Sequence, residues 1–470
     1  MKQINLKEWQ VYSYDELSKI FIDEKSLKST LKLLLQKNIF KKKKAGKIDS
    51  DEEIYENSLL IEDEVFEGNY SDYEYYTEFV GIIIVGEFIL KIYPKYFSNE
   101  DNDRDFVEII DVLKKHSSRF QNLDIFYDLN SPEKYNQLAV EISIMKDFLE
   151  NGIYQDSHKI IEKNGNGEIL WGRTINEITP YIVDNTPYYF ETITRRNNNN
   201  QDNFFKRLHE TIVTSCFKKF NEMGLLDIFS MPNISISNTT RSDFGEDCEI
   251  LYKLESEINV QFSSRRKHIL NLMYVYIAKQ NSLEKYDEIG IFATRKFNVV
   301  WEDVLREVLE NDYDKKISTT LGIDEYCEET FQSFIERPSW NIGENSILTN
   351  TFKLDILKIS DNKKTMNIYD AKYYLPNISN NTISGQPGIQ DISKQFCYEL
   401  AFKELKNKSL ITDIKNYFIM PKTQNIEDTS VSMSMFNSLG LGDIKVKFVD
   451  PKEVFKAYLS GSTLNINSLS

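Results

Sequence analysis

The sequence predicts an α/β protein whose main sheet is mixed and flanked by helices. Two apolar, β-branched runs within Thr351–Tyr374 flank the polar tetrad Asp361–Lys364, a pattern typical of a strand–turn–strand hairpin. Helical spacing follows over Ile389–Leu405. Strand-like segments at Ile414–Met420 and Ile444–Val449 complete the pattern of a mixed sheet with a crossing helix.

The N-terminal part predicts a separate α+β region. Apolar residues spaced three and four apart predict short helices before residue 36, and the basic run Lys41–Lys44 follows them. This order resembles a winged-helix module over residues 1–70. The apolar segment Phe79–Tyr93, interrupted at Gly86-Glu87, predicts two paired strands.

A chain of 470 residues is too long for one ordinary core, so two or three domains are expected. We place them at 1–70, 71–200 and 201–470. The second boundary follows the polar run Asn197–Asn200. An amphipathic helix begins just after it, with apolar residues at every fourth position: Phe204, Leu208, Ile212 and Cys216.

Several absences predict a cytoplasmic protein without a membrane anchor. No run of about 18 apolar residues occurs, and the N-terminus lacks the apolar core of a signal peptide. The 4 cysteines are scattered without a Cys-x-x-Cys pair. They fit reduced thiols better than disulfides or a zinc site.

The formal net charge of −16 disfavours a chain that grips nucleic acid alone, because lysine and arginine contacts to phosphate dominate such binding. Basic residues cluster locally at Lys41–Lys44, Arg195-Arg196 and Arg265–His268. Each cluster taken singly is better explained as solvated surface charge. Either positive charge is concentrated locally, or another subunit provides most of the binding.

The hairpin carries the strongest candidate for chemistry. A turn centred on Asn362 and Lys363 places Asp355 directly across from Asp370, and Lys372 shares the face of Asp370. Two opposed carboxylates repel each other. A divalent cation between them removes the conflict, and the lysine is placed to act on a bound water. This is a nuclease hypothesis.

An acidic residue two positions before a lysine is not specific by itself. The chain has other such pairs, among them Asp314/Lys316, Asp361/Lys363, Glu404/Lys406, Asp413/Lys415 and Asp443/Lys445. Only Asp370 combines an apolar strand, an opposed carboxylate and a polar helix face soon after it. That face is predicted from the spacing of Asp391, Lys394, Gln395 and Tyr398.

These residues resemble a known family. Asp355 with Asp370-Ala-Lys372 is similar to the PD-(D/E)xK nuclease signature, with Leu354 where proline often stands. The surrounding blocks resemble LlaJI-type restriction endonucleases, which are relatives of McrC, over roughly residues 75 to 420. The blocks are Phe79–Ile83 with Ile92–Lys95, Phe205–Glu210, Phe292–Glu302 and Gly388–Gln395.

The resemblance implies a PD-(D/E)xK restriction-endonuclease-like sheet and a metal-dependent site. Asp355, Asp370 and the backbone carbonyl of Ala371 would hold Mg²⁺, with Mn²⁺ as a substitute, and Lys372 would orient a water. Glu210 is a candidate additional metal ligand. On the following helix, Lys394 and Gln395 either contact the scissile phosphate or form a solvated face.

The resemblance also implies partners, because McrC works with the GTP-hydrolysing AAA+ protein McrB. We therefore expect a McrB-like AAA+ GTPase subunit that docks on residues 71–200, and double-stranded DNA as substrate. The chain has no Gly-x-x-x-x-Gly-Lys-Ser/Thr loop of its own. Two alternatives remain: a self-sufficient, sequence-specific type II enzyme, and a non-catalytic adaptor that stimulates a partner NTPase.

Overall fold

The computed structural model shows a mixed α/β chain that forms two compact units. Contacts join Met1–Asp128 with Asp287–Ser470 in the first unit and enclose Leu129–Tyr286 in the second. The structure describes residues 1–21, 24–44, 70–97, 103–119, 137–155, 157–199, 204–280, 289–342, 345–379, 382–423 and 426–466. The predicted boundary between residues 200 and 201 lies outside these ranges.

The N-terminal part of the first unit contains short strands and helices. Its strands are β1 (Lys2–Lys7), β2 (Tyr12–Ser13), β3 (Phe40–Lys44), β4 (Tyr73–Thr77), β5 (Val80–Val85) and β6 (Phe88–Tyr93). Its helices are α1 (Tyr14–Phe21), α2 (Glu24–Gln36) and α3 (Asp103–Arg119). The strands β5 and β6 pair as predicted, and Gly86 turns between them with a positive φ of 56°.

The second unit is largely helical, with a small three-stranded sheet and one hairpin. Its helices are α4 (Gln137–Asn151), α5 (Trp171–Glu177), α6 (Phe204–Met223), α7 (Asp247–Val260) and α8 (Ser264–Gln280). Its strands are β7 (Ser157–Lys163), β8 (Glu168–Ile169), β9 (Tyr181–Val183), β10 (Thr186–Tyr188) and β11 (Ile193–Asn199). The predicted amphipathic helix is α6, which buries Leu208, Ile212 and Cys216.

The remainder of the first unit alternates strands and helices. The strands are β12 (Ile289–Thr294), β13 (Ser339–Ile342), β14 (Asn345–Leu348), β15 (Ile356–Ile359), β16 (Thr365–Ala371), β17 (Asn377–Ser379), β18 (Thr382–Ser384), β19 (Asp413–Pro421), β20 (Thr429–Val431) and β21 (Ile444–Val449). The helices are α9 (Phe297–Val308), α10 (Ile317–Leu321), α11 (Phe331–Phe334), α12 (Ile389–Ala401), α13 (Lys403–Lys408), α14 (Ser434–Asn437) and α15 (Pro451–Ser460).

A four-stranded sheet joins distant parts of the chain in the order β1-β6-β5-β12. β1 pairs with β6 in parallel, and β12 pairs with β5 antiparallel. The observed division therefore differs from the predicted domains 1–70, 71–200 and 201–470. Composition marks local breaks in a chain, whereas these pairings join segments about 80 to 200 residues apart.

The main sheet has the order β15-β16-β19-β21-β20, and its mixed character confirms the predicted class. β16, β19 and β21 run parallel, while the edge strands β15 and β20 are antiparallel to their neighbours. Helix α12 lies in the crossover from β16 to β19 and packs on the sheet. Its Tyr398, together with Phe402 directly after the helix, joins one apolar cluster, and its Phe396 joins the next.

The four cysteines are free. Among the described helices, none combines the length and the apolar character needed to cross a membrane.

Candidate active site at the end of a β-hairpin

The hairpin β15–β16 has the register that the sequence predicts. Ile356 pairs with Tyr369 and Leu357 with Ile368, so the next pair outward is Asp355 with Asp370. The turn is closed by the Ser360 N–H, which donates to the Thr365 carbonyl at 2.9 Å. Because a shift of one residue would turn the buried face outward, this apolar pattern fixes the register.

The two acids extend the apolar face of the hairpin toward its open end. Asp370 is only 4% exposed, and the Asp355 carboxylate accepts a hydrogen bond from the Ala371 N–H at 3.0 Å. Burial raises the pKa of Asp370 well above its usual range, and the neighbouring Asp355 carboxyl raises it further. This environment therefore favours the neutral form of the Asp370 carboxyl when no metal is bound.

Lys372 lies on the same face and bridges two carboxylates. Its Nζ is 3.2 Å from Oδ2 of Asp370 and 2.8 Å from Oδ1 of Asp391. Burial lowers the pKa of Lys372, but the charges of Asp370 and Asp391 outweigh burial and raise its net pKa. The lysine is therefore a fixed cation beside the paired acids.

The first turns of α12 form the wall opposite the hairpin, which places the predicted polar face against the site. Asp391 contacts Lys372 as described, and the Lys394 ammonium lies 5.6 Å from the centre of the Tyr398 ring. The Tyr398 hydroxyl donates to the Lys353 carbonyl at 2.7 Å, just before the hairpin. Helix α12 therefore contacts the chain both just before Asp355, at Lys353, and just after Asp370, at Lys372.

Gln395 is fully buried, which the sequence did not predict. Its amide nitrogen lies 3.4 Å from the carbonyl oxygens of Ile368 and Tyr417, on neighbouring strands of the main sheet. In this position the side chain braces α12 against β16 and β19. The spacing in the sequence identified a common helix face, but it did not specify how deeply each member of that face is buried.

A further carboxylate, Glu302, and an arginine, Arg306, were missed by the sequence reasoning. On α9, Arg306 donates from Nε to the Asp355 carbonyl at 3.1 Å and from Nη2 to Glu302 at 3.1 Å. Burial raises the pKa of Glu302, and the nearby charge of Asp370 contributes to the shift. The i,i+4 spacing of Glu302 and Arg306 on an amphipathic helix was the available signal.

Glu210 lies on α6 in the second unit, whereas the hairpin acids belong to the first. Its ion pair with Lys206, at 3.9 Å, stays within its own helix. The assignment of Glu210 as a metal ligand remains a prediction.

The cluster fits a hard cation through oxygen ligands. Oδ2 of Asp370 is buried and accepts no hydrogen bond, although Lys372 is within ion-pair distance. Across the described ranges, no three His, Cys, Asp or Glu side chains group as metal ligands. The candidate oxygen donors at the hairpin are the carboxylates of Asp355 and Asp370 and the carbonyl of Ala371. Such oxygen donors suit Mg²⁺, which keeps several waters.

The paired acids Asp355 and Asp370 with Lys372, at the end of a mixed sheet, form a candidate hydrolytic site. A sequence model of the LlaJI restriction endonuclease family matches residues 79–460. The chain belongs to the LlaJI restriction endonuclease family, which confirms the resemblance inferred from the motif blocks. Residues 1–78 lie outside the match.

One curated relative is a component of a restriction enzyme. The chain is 25% identical over 417 residues to the type II restriction enzyme BsuMI component YdjA of Bacillus subtilis (strain 168). The match covers 83% of this chain and 82% of the relative.

Two solved structures are similar at 14% identity. McrC bound to McrB AAA+ hexamers of Thermococcus gammatolerans matches with a TM-score of 0.41, covering 98% of this chain and 99% of that one. The McrBC complex of the same organism gives a TM-score of 0.25, covering 64% and 85%.

Proposed function

We propose that the hairpin site hydrolyses phosphodiester bonds of double-stranded DNA with a bound divalent metal ion, in the manner of a PD-(D/E)xK nuclease. Asp355, Asp370 and the carbonyl of Ala371 would hold Mg²⁺, and Mn²⁺ would substitute. The observation that carries the proposal is the buried Asp370 carboxyl, whose Oδ2 lacks a hydrogen bond beside a second acid. Because the Lys372 ammonium is shared between Asp370 and Asp391, a bound cation would compensate the negative charge that remains on the paired acids.

Each side chain of the cluster has a separate task in this proposal. The metal, when bound, lowers the pKa of a coordinated water and stabilises charge on the phosphate. Lys372 presents its ammonium to that water or to a phosphate oxygen. Arg306 fixes the backbone of Asp355, and Glu302 adds negative charge beside it.

Two residues of α12, which faces the hairpin, also have proposed roles. Lys394, which is half-buried, keeps its proposed contact with the scissile phosphate. For Gln395 we propose instead that its buried amide supports the sheet behind the acids.

The decisive experiment is cleavage of plasmid DNA by purified protein with Mg²⁺, with and without a partner GTPase and GTP. Asp370→Ala and Lys372→Ala should abolish cleavage. Asp413→Ala and Lys415→Ala are matched controls, because this triplet lies on β19 with an exposed ion pair of 3.7 Å. If the Asp370 and Lys372 variants cleave as fast as the wild type, the proposed site is wrong.

We also propose that an AAA+ GTPase supplies much of the DNA binding. Four members of the basic clusters, Lys41, Lys43, Arg195 and Arg265, pair with acidic neighbours, which agrees with a chain of net charge −16. These ion pairs are Lys41–Glu78 at 2.7 Å, Lys43–Glu74 at 3.5 Å, Arg195–Glu168 at 2.6 Å and Arg265–Asp147 at 2.8 Å. These ion pairs compensate part of the positive charge that would otherwise be available to bind phosphates.

Part of the second unit suits partner docking. Within the predicted docking region 71–200, Tyr181, Ile182 and Phe190 are 66%, 68% and 80% exposed. Apolar residues this exposed mark interaction surfaces when they cluster, and the ring centres of Tyr181 and Phe190 lie 5.9 Å apart beside the β9–β10 hairpin that carries Ile182. Ile182→Ser with Phe190→Ser should weaken binding of an AAA+ GTPase encoded beside the gene. Leu410→Ser, at an exposed position of the first unit, is the control.

The same assays decide between the alternatives. Sequence-specific cleavage by the chain alone with Mg²⁺ would favour a self-sufficient type II enzyme. Stimulation of a partner NTPase by a protein that never cleaves would favour an adaptor. The complete Asp355, Asp370 and Lys372 set argues against the adaptor, because a relic site has no need to retain all three.

A further inference from the structure

The residue that follows Lys372 connects the hairpin to the opposite end of the chain. The Tyr373 side chain is buried, and its hydroxyl donates to Oε2 of Glu8 at 2.7 Å. Glu8 stands directly after β1 and is only 3% exposed. The two residues are 365 positions apart in the sequence, yet both belong to the first unit.

Glu8 is held firmly by the N-terminal sheet. Its N–H donates to the Tyr93 carbonyl at 2.8 Å, and its Oε2 also accepts from the Lys95 N–H at 3.1 Å. The Lys95 ammonium lies 4.6 Å from the centre of the Tyr373 ring. One carboxylate oxygen therefore ties the segment after β6 to the end of β16.

The contacts of Lys372 and Tyr373 lie on opposite sides of the backbone, as expected for consecutive residues in an extended chain. Lys372 contacts Asp370 and Asp391, whereas Tyr373 contacts Glu8 and the ring of Phe297 at 5.5 Å. The Lys372 N–H donates to the Ile419 carbonyl at 2.9 Å, the last rung between β16 and β19. Beyond this rung, Tyr373 is the next fixed point.

We propose that Glu8 is a positioning residue for the hairpin site: by anchoring Tyr373 it fixes the end of β16 that carries Ala371 and Lys372. The inference rests on the proposed nuclease function. It gives the N-terminal sheet a role in the chemistry, although residues 1–78 lie outside the family match. The substrate remains a DNA phosphodiester.

Single-turnover cleavage at saturating Mg²⁺ tests the proposal. Glu8→Ala and Tyr373→Phe should each lower the rate by at least about tenfold, since small displacements of catalytic groups are costly. Glu8→Gln, which keeps an acceptor for both donors, should recover to within about threefold of the wild-type rate. The double variant should be no slower than the slower single variant, because both changes break one contact.

Tyr12→Phe is the matched control. It removes a buried hydroxyl that accepts from the Lys7 N–H at 2.9 Å within the same N-terminal core, and it leaves the Glu8–Tyr373 hydrogen bond intact. Its cleavage rate should equal that of the wild type. If Tyr373→Phe also cleaves at the wild-type rate, Glu8 has no positioning role and the proposal fails.

Hydrogen exchange gives a readout that does not depend on cleavage. Peptides covering residues 366–374 should exchange faster in Glu8→Ala and Tyr373→Phe than in the wild type, and unchanged exchange would overturn the proposal. The outcomes also separate the two hypotheses. If Asp370→Ala retains cleavage, the proposed site is wrong. If Asp370→Ala is inactive while the Glu8 variants cleave normally, only the positioning role is wrong.

Discussion

Oδ1 of Asp391 lies 2.8 Å from Nζ of Lys372, so the first turn of α12 holds the lysine that the hairpin presents to the paired acids. The contact joins two elements separated by a small β17–β18 hairpin. It also explains why the lysine stays charged although it is largely buried: two carboxylates compensate the loss of hydration.

Asp391→Asn should slow cleavage by about tenfold, a smaller loss than for Lys372→Ala, because the asparagine oxygen still accepts a hydrogen bond while the charge is gone. Single-turnover cleavage measures the effect. Glu404→Gln is the control, since it removes an exposed carboxylate that pairs with Lys408 at 2.8 Å. A variant as fast as the wild type would show that Asp391 does not orient the lysine.

Asp370→Asn should stabilise the metal-free protein and abolish cleavage. The folded state raises the pKa of this carboxyl by burial and by the proximity of Asp355, so a neutral amide removes an unfavourable charge. The expected gain is on the order of 1 kcal/mol in free energy of unfolding. Denaturant titration without metal measures this gain.

The same variant should lose stabilisation by metal. Wild-type protein should unfold at higher temperature when Mg²⁺ is added, because a ligand of the folded state raises its stability. Asp370→Asn should show no such shift. If Mg²⁺ still raises the unfolding temperature of Asp370→Asn, the ion binds at another site.

Arg306→Lys should weaken metal binding although it keeps the charge. Arg306 donates from two nitrogens, to the Asp355 carbonyl and to Glu302, and a lysine cannot reproduce that fork. Titration calorimetry with Mn²⁺ should show affinity reduced by about tenfold. Arg173→Lys is the matched control, because Arg173 also donates from two nitrogens, to the exposed Glu177, in the second unit. Comparable Mn²⁺ affinities in all three proteins would refute the role of Arg306.

Stability should fall as pH rises from about 4.5 to about 7, in part because of Glu8. Burial raises the pKa of Glu8 to about 7, while the Tyr373 hydrogen bond and the Lys95 charge oppose the shift. The folded state therefore holds a proton that the unfolded chain releases from about pH 4.5 upward. The stabilisation is complete below that pH and is lost through pH 7.

Glu8→Gln should flatten this dependence by up to about 3 kcal/mol between pH 5 and pH 8, since each unit of pKa shift is worth about 1.4 kcal/mol. Denaturant unfolding at the two pH values measures it. Glu16→Gln is the control, because Glu16 is fully exposed and its pKa is lowered by Ser13. An unchanged slope in Glu8→Gln would mean that Glu8 is ionised at low pH in the folded protein.

The hairpin could be predicted almost completely because its information is local. Alternating side chains and the polar turn determine the register, and this register places Asp355 opposite Asp370. Arg306 and Glu302 could not be predicted, since they reach the site only through the packing of α9 about 50 positions earlier in the chain. Local patterns in the sequence do not specify such a contact.

The long-range strand pairs were missed for the same reason. β1 joins the sheet by pairing with β6, and β12 joins it by pairing with β5. The composition of β1 or β12 alone does not identify the strand with which it pairs. At Gly81, however, the pairing of β12 with β5 requires a particular residue, because the approach of β12 leaves no space for a side chain. A Cβ at this position would lie 2.2 Å from the carbonyl oxygen of Phe292 on β12, and its φ is +133°.

Gly81→Ala should therefore destabilise the first unit by about 3 kcal/mol or more, because both the backbone conformation and the approach of β12 exclude a methyl group. Thermal unfolding measures the loss. Gly172→Ala is the control: nothing lies within 4 Å of its Cβ position on α5, so alanine should be neutral or slightly stabilising there. Equal unfolding temperatures for the two variants would mean that β12 does not pair with β5 at Gly81. The strand order β1-β6-β5-β12 of the sheet that precedes Glu8 would then be wrong.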